Sequence, residues 1–448
     1  MAEKGRPICR SSESSDDEKS VMETPASDLV VTKYAMAADI VNAVLKELIL
    51  AIKSGVQVGE ICDLGDRLMN ERLAKVFKKE KDALKGIAMP TCISINNCVC
   101  HFSPLRSDPP VIIKDGQMVK IDLGAHIDGF IATAAHTIVV GASPENKIKG
   151  RMANVMLAAY NAMEAAVRML RPGLYKNMEI TDMIDKIASI YQVKPVENML
   201  SHELRKNKID GEKQIIQNPG EKQRSEMMKC SFEKFEVYAI DILMSTGEGK
   251  TRILDSRTTI YKKVDDLVYS LKVKASRMFL SAAVNKHGLM PFTLRSFEDE
   301  KLAKMGVVEC ERHNLMRPYQ VFYERESEFV AQFKCTVLIM PNGLLKITGF
   351  PLDMNALESD IKIEDQLITS LLNSSLKPKK AKKKPKNGKK DENNGAQKNN
   401  DIIEKEGDAG TQNVDMKTRD MNKKSVSSDN RDGVNVTNVT TELKINDH

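Results

Sequence analysis

The sequence predicts an α+β fold, because helical and strand-like patterns are interleaved in one unit between about residues 28 and 360. Apolar residues at three-and-four spacing predict helices, and alternating apolar and polar residues predict strands. The chain has 448 residues, 41% of them hydrophobic. It is therefore long enough to bury a large core.

Three segments have helical periodicity. Residues 34–55 repeat apolar side chains at helical spacing up to Gly55, and residues 151–170 do so up to Pro172 and Gly173. Residues 179–193 form the third segment. Gly and Pro end helices, so these boundaries agree with the periodicity.

The strand-like segments lie between and after these helices. Residues 118–140 alternate and contain Asp128-Gly129, a dipeptide typical of a tight hairpin turn. Residues 235–245 and 328–340 are further strand-like runs. We expect all of them in the same folded unit as the helices.

Both ends of the chain have a different composition. Residues 1–27 are rich in Ser, Asp, Glu and Lys, and residues 361–448 are rich in Lys, Asn and Asp. Such segments bury too little apolar surface to fold alone, so we expect disordered tails.

The C-terminal tail contains a lysine tract, with nine lysines in residues 377–390. The density of positive charge favours binding to phosphate backbones without reading sequence. A nuclear or nucleolar import signal and a solubilising tail are equally good interpretations. The nine residues are Lys377, Lys379, Lys380, Lys382, Lys383, Lys384, Lys386, Lys389 and Lys390.

The cysteines and the apolar runs indicate the compartment. Eight cysteines are scattered without framework spacing, which fits reduced thiols in cytosol or nucleus. No run of about 18 apolar residues occurs and the N-terminus is polar, so we expect a soluble intracellular protein without membrane insertion. Cys92, Cys98, Cys100 and His101 are the densest group, but they lack a second CxxC-type pair, so zinc is not expected.

Five segments carry residues of the kind used in metal chemistry. They are NNCVCHFSP (96–104), VKIDLGAHIDGFIATAAHT (119–137), MLSHELRKNKIDGEK (199–213), EVYAIDILMSTGEG (236–249) and VAQFKCTVLIMPNG (330–343). Together they resemble the methionine aminopeptidases, especially the eukaryotic type-two enzymes. They occur in the family's order and cover nearly all of the folded region.

This resemblance implies the pita-bread fold, in which two pseudo-symmetric α+β halves surround a curved antiparallel sheet and a central pocket. Residues 252–323 would match the helical insertion of the type-two enzymes. In those enzymes, two divalent metals activate a bridging water and polarise the scissile carbonyl. Several carboxylates and a histidine must therefore converge on one pocket.

The matching positions in this chain retain only part of that set. Asp122 and His202 match a metal aspartate and the metal histidine. Thr133 stands where the second aspartate is expected, and Asp241 replaces a glutamate. Lys334 replaces the last metal glutamate. The resemblance thus identifies a vestigial pocket, with no catalytic residue, no bound metal and no cofactor expected.

Charge also disfavours two metals in this pocket. Two carboxylates and one ammonium sum to a charge of −1, which cannot neutralise two divalent ions. We expect the Lys334 ammonium to replace the metal and to pair with Asp122 and Asp241. His101 matches a histidine that would contact substrate, and Asp210 stands where the second such histidine would lie.

Within the superfamily, the chain looks most like the proliferation-associated, ErbB-receptor-binding branch. The strings DLVVTKYAMAADIVNAVL, NNCVCHFSPL and MPFTLRSFEDEK and the lysine-rich tail carry this likeness. It implies a non-catalytic protein that binds structured RNA and ribosomes or pre-ribosomal particles and acts in translation, ribosome biogenesis and growth-related transcription. It also implies a distribution among cytoplasm, nucleus and nucleolus.

Two alternatives remain open. The first is a residual single-metal methionine aminopeptidase that uses Asp122, His202 and Asp241. The second concerns partners: Ile368, Leu371 and Leu372 form an IxxLL variant of the LxxLL co-regulator motif. It would allow transcriptional co-regulators as partners beside receptor tails, although the end of an amphipathic helix explains the same residues.

Overall fold

The computed structural model describes residues 23–78 and 84–377. The strands in this part, numbered in chain order, are β1 (Lys85–Ile95), β2 (Cys98–Cys100), β3 (Met118–Ile127), β4 (Phe130–Val139), β5 (Lys194–Pro195), β6 (Leu200–Leu204), β7 (Gln214–Ile216), β8 (Val237–Ser245), β9 (Arg252–Ile253), β10 (Ile260–Lys263), β11 (Phe292–Thr293), β12 (Met316–Tyr319), β13 (Phe322–Tyr323), β14 (Val330–Met340) and β15 (Gly343–Lys346).

Helices lie before, between and after these strands. They are α1 (Asp28–Ala51), α2 (Val58–Leu73), α3 (Gly150–Met169), α4 (Asn177–Ile190), α5 (Glu221–Glu226), α6 (Lys274–His287), α7 (Glu300–Arg312) and α8 (Gln366–Leu372). The three predicted helices correspond to α1, α3 and α4. None of the helices in residues 23–78 and 84–377 combines the length and the apolar character needed to cross a membrane.

One antiparallel sheet, here called the main sheet, organises the part of the chain that the structure describes. Its strand order is β1-β3-β4-β14-β8-β6-β7, with β15 paired to β14 and β5 paired to β8. Neighbours such as β4 and β14 are about 200 residues apart in the sequence. The sheet therefore brings distant motif segments side by side.

Two helix pairs cover the main sheet. Helices α1 and α2 pack on β1, β3 and β4, while α3 packs on β8 and β14 and α4 packs on α3, β5 and β7. The buried face of α3 is rich in alanine, and such small side chains allow a helix to approach a sheet closely. Two helix pairs on one curved sheet form the pita-bread architecture that the resemblance implies.

The predicted hairpin is confirmed. β3 and β4 pair from Met118↔Val139 to Ile127↔Phe130, so Asp128 and Gly129 form the turn. Both have positive φ, 53° and 79°, as a two-residue hairpin turn with right-handed strand twist requires.

The insertion differs from a purely helical segment. Strands β10, β11 and β12 form a small antiparallel sheet beside α6 and α7. The two helices meet closely at Gly306, where an added Cβ would lie 2.4 Å from the Cβ of Phe279. The insertion therefore has a core of its own.

The folded part extends beyond residue 360, where the sequence places the start of the C-terminal tail. Helix α8 is capped by Asp365, whose side chain accepts from the backbone N–H groups of Leu367 and Ile368. Ile368 is fully buried, and Leu371 and Leu372 pack on the same core. Apolar residues at helical spacing thus hold this segment on the domain, and the IxxLL side chains face inward.

Candidate functional site

The five positions matched to metal ligands lie on five adjacent strands of the main sheet. The strands β3, β4, β14, β8 and β6 follow one another in the sheet order. They carry, in the same order, Asp122, Thr133, Lys334, Asp241 and His202. The fold therefore brings the predicted site residues to one region of the sheet.

Lys334 holds the centre of this group. It is in register with Asp241 on β8 and with Ala135 on β4. Its Nζ lies 2.7 Å from Oδ2 of Asp122 and 3.0 Å from Oδ2 of Asp241. The side chains of all three residues are at least 86% buried. The pairing predicted from charge balance is thus confirmed.

A further residue supports Asp241. The Gln332 amide donates to both of its carboxylate oxygens, at 2.9 and 3.2 Å. Gln332 is two residues before Lys334 in β14, and residues two apart in a strand share a face. This period could have identified Gln332 as a site residue, but sequence reasoning missed it.

The charges in this cluster stabilise one another. Burial alone would lower the pKa of Lys334, but the carboxylates of Asp122 and Asp241 outweigh it and raise that pKa. Burial raises the pKa of Asp241, opposed by the Lys334 ammonium. Lys334 therefore stays protonated and forms a buried ion-pair centre with two carboxylates.

The two histidines at the pocket are held as neutral imidazoles. Burial, followed by the positive charge of Lys334, lowers the pKa of His202 to about 4. Burial also lowers the pKa of His101, whose Nδ1 lies 3.0 Å from the Gln320 carbonyl oxygen and donates to it. The His101 ring lies edge-on to Tyr319, with centroids 5.2 Å apart.

Asp210, at the position of the second substrate histidine, is held by two cations from the insertion. Lys262 donates to its Oδ1, and Arg317 Nη1 lies 3.3 Å from its Oδ2. An imidazole there could exchange protons near neutral pH, whereas this carboxylate is engaged in ion pairs. The pocket thus departs from the enzyme pattern at this position as well.

These side chains line a cavity of about 400 Å³ between the main sheet and the insertion. Its wall is mixed, with imidazole, carboxylate, ammonium, phenol and apolar groups. The lining residues include His101, Thr133, His202, Asp241, Tyr319 and Lys334. A central pocket is therefore present, and its wall differs from the ligand set that the resemblance implies for the enzymes.

The residues present do not fit a dinuclear metal centre. The Lys334 ammonium lies between the two carboxylates that a metal would need, and a divalent ion 4 Å away would meet a repulsion of about 8 kcal/mol at an effective dielectric of 20. Thr133 offers a hydroxyl where a bidentate carboxylate is needed. Within residues 23–78 and 84–377, no group of three or more His, Cys, Asp or Glu side chains is arranged to hold a metal.

The predicted nucleic-acid or import residues are almost all outside the described chain. Lys377 is the last described residue, and the lysines from Lys379 to Lys390 lie beyond it.

The cysteines near His101 are buried in strands, and burial raises the pKa of Cys98 and Cys100. Their thiols therefore remain protonated and are poor metal ligands.

The strand arrangement and the central cavity define a protein of the pita-bread class. Residues 32–253 match the model of metallopeptidase family M24. ErbB-3 binding protein 1 of Arabidopsis thaliana is 45% identical over 370 residues, covering 82% of this chain and 92% of that protein. Curved DNA-binding protein of Schizosaccharomyces pombe is 42% identical, covering 79% of this chain and 92% of that protein.

A solved structure supports the same family assignment. A thermophilic Arx1 superimposes with a TM-score of 0.74 at 33% identity, covering 79% of this chain and 99% of that one. The chain therefore belongs to metallopeptidase family M24, within its methionine-aminopeptidase-like branch of proliferation-associated and ErbB-3-binding proteins.

Proposed function

We propose that this chain is a non-catalytic member of its family, in which an ion-pair centre has replaced the metal centre. The observation that carries the proposal is the position of the Lys334 ammonium, within 3.0 Å of both Asp122 and Asp241. The Lys334 ammonium supplies the positive charge that a metal ion would supply in a catalytic member of the family. The pocket then stabilises the sheet and activates no water.

Metal analysis and a peptidase assay test this proposal together. Purified full-length protein should hold less than stoichiometric divalent metal and should release no N-terminal methionine from peptides with cobalt, manganese or zinc added. A catalytically active member of the same family, assayed in parallel, provides the positive control. Tight metal binding together with turnover would support the residual single-metal enzyme instead.

We further propose that the protein binds structured RNA and ribosomal or pre-ribosomal particles and regulates translation, ribosome biogenesis and growth-related transcription. The family resemblance supports this role, as does the name of the yeast relative, a DNA-binding protein. The lysine tract of residues 377–390 supplies the charge for phosphate contacts. Cytoplasm, nucleus and nucleolus are the compartments that fit these partners.

Nucleic-acid binding at several salt concentrations tests the tract. Replacing its nine lysines by glutamine in the full chain should weaken binding to a stem-loop RNA and flatten the dependence of log affinity on log salt, because fewer counterions are released. The same substitution should reduce nuclear accumulation of a fluorescent fusion. If affinity, salt slope and localisation all stay unchanged, the tract has no part in the function.

Co-regulator and receptor-tail proteins are weaker candidates for partners. The IxxLL side chains of α8 would have to leave the core to enter a partner's groove, because Ile368 is fully buried. Binding by this motif would therefore require local unfolding of α8. We propose RNA and ribosomal particles as the principal partners.

A further inference from the structure

The insertion exposes a group of apolar side chains at one end, here called the insertion patch. Val268 is 93% exposed, and Val273 and Val308 are each more than half exposed. Leu267 and Tyr269 lie beside them and are also exposed. Single exposed apolar residues are common, but a contiguous set marks an interaction surface.

Contacts between the loop before α6 and the end of α7 make these residues one surface. The Tyr269 ring stacks on His313, with centroids 3.9 Å apart. The Glu309 carboxylate accepts from the backbone N–H groups of Lys272 and Val273, at 2.9 and 3.1 Å. The loop is therefore fixed against α7, in which Val308 directly precedes Glu309.

Basic side chains predominate among the exposed charges near the insertion patch; within residues 264–277 and 305–313, the exposed carboxylate is that of Asp266, next to Leu267. Lys272, Lys274, Arg277 and Arg312 are exposed. None of the four forms an ion pair with a carboxylate of the described residues; Arg277 instead donates to the carbonyls of Leu271 and Lys272. Their charges are thus free for a partner. Exposed arginines elsewhere, such as Arg106, are paired with carboxylates.

We propose that the insertion patch binds an acidic amphipathic segment of a partner protein, whose apolar face covers Val268, Tyr269 and Val308 and whose carboxylates pair with the nearby cations. Burying aliphatic side chains against another apolar surface is favourable, at about 25 cal/mol per Å². Phosphate backbones offer no such surface to valine and leucine. The aliphatic centre therefore favours a protein segment over RNA, and the nearby basic side chains set the sign of its charge.

Two synthetic peptides serve as probes. Both place leucine at helical i, i+3, i+4 and i+7 positions; one has glutamate at its remaining positions and the other has lysine. Fluorescence anisotropy with the full-length protein should give at least tenfold tighter binding for the glutamate peptide. Equal affinity of the two peptides would overturn the proposal.

Variants of exposed residues locate the binding surface without disturbing the core. Val268→Ser with Tyr269→Ser should weaken binding of the glutamate peptide at least fivefold. Leu174→Ser with Leu367→Ser removes two exposed apolar side chains elsewhere and should change it less than twofold. Equal effects of the two pairs would place the binding outside the insertion patch and overturn the proposal.

A charge series completes the test. The basic residues near the patch are replaced together in one variant, Lys272→Gln, Lys274→Gln and Arg312→Gln. A matched control replaces three exposed lysines elsewhere, Lys46→Gln, Lys53→Gln and Lys114→Gln. The first variant should weaken binding of the glutamate peptide at least fivefold more than the control. A stem-loop RNA is measured on the same proteins. If the Val268→Ser, Tyr269→Ser variant binds the RNA more weakly but binds the glutamate peptide with unchanged affinity, the surface binds nucleic acid and the proposal is wrong.

Discussion

Lys334 lies directly opposite Asp241 in the β14–β8 pair, and its ammonium is 3.0 Å from that carboxylate. The same ammonium is 2.7 Å from Asp122 on β3. One positive charge thus links strands from both halves of the main sheet. Where the resemblance to the methionine aminopeptidases implies a metal ligand, this chain has a buried ion-pair centre.

Removing the ammonium should destabilise the fold strongly. Lys334→Met leaves Asp122 and Asp241 buried near each other without a counter-charge, which should lower the free energy of unfolding by about 3–5 kcal/mol. Urea denaturation measures the loss. Adding Asp122→Asn and Asp241→Asn should recover most of it, because no uncompensated charge remains. Equal stability of Lys334→Met and the native chain would mean that the ion pairs contribute little.

Restoring one glutamate should not restore the enzyme. Lys334→Glu places three carboxylates together, so we expect lower stability, no tight divalent metal and no turnover. The combination of Lys334→Glu, Thr133→Asp and Asp241→Glu rebuilds the carboxylate set and should bind at least one manganese or cobalt ion, measured by calorimetry. Turnover by the single Lys334→Glu variant would contradict this account.

The ion-pair centre could be predicted because its residues belong to motif segments with a fixed strand register. The ion pairs of Asp210 could not be predicted from the sequence. Lys262 and Arg317 come from the insertion, 52 and 107 residues later, and no local pattern links them to Asp210. Long-range side-chain partners of this kind depend on how the insertion packs against the rest of the domain. The periodicity of the sequence carries no information about that packing.

Two elements next to the site also lacked a sequence signal. Helix α2 contains Gly59 and Gly65, which weaken helical propensity. Gly65 is needed because an added Cβ would lie 2.4 Å from the Thr91 hydroxyl of β1. Strand β1 is buried on both faces along most of its length, so it shows no apolar and polar alternation. Because the two elements pack closely against each other, neither has the sequence pattern that would predict a helix or a strand.

Acid should destabilise the protein through its buried histidines. Burial lowers the pKa of His126, His136 and His202 to about 4 each, from 6.5. Between these values the unfolded chain binds more protons than the folded one, so stability falls as pH falls. Each histidine should contribute a loss of about 2 kcal/mol between pH 7 and pH 5.

Urea denaturation at the two pH values checks the sign and the size. His136→Asn removes one of these groups and should reduce the pH-dependent loss by about 2 kcal/mol. Asn70→Ala, at an exposed position that carries no titratable group, is the control and should leave that loss unchanged. Identical pH dependence in the His136→Asn variant and the native chain would exclude His136 as a source of the effect.

Helix α8 should behave as part of the domain. Ile368 is fully buried, whereas its neighbour Leu367 is 74% exposed. Ile368→Ala should therefore lower the free energy of unfolding by about 2–4 kcal/mol, through lost burial and a residual cavity. Leu367→Ala provides the matched control and should change it by less than about 0.5 kcal/mol. If both substitutions cost the same small amount, α8 is not held on the core, and its IxxLL residues are free to reach a partner.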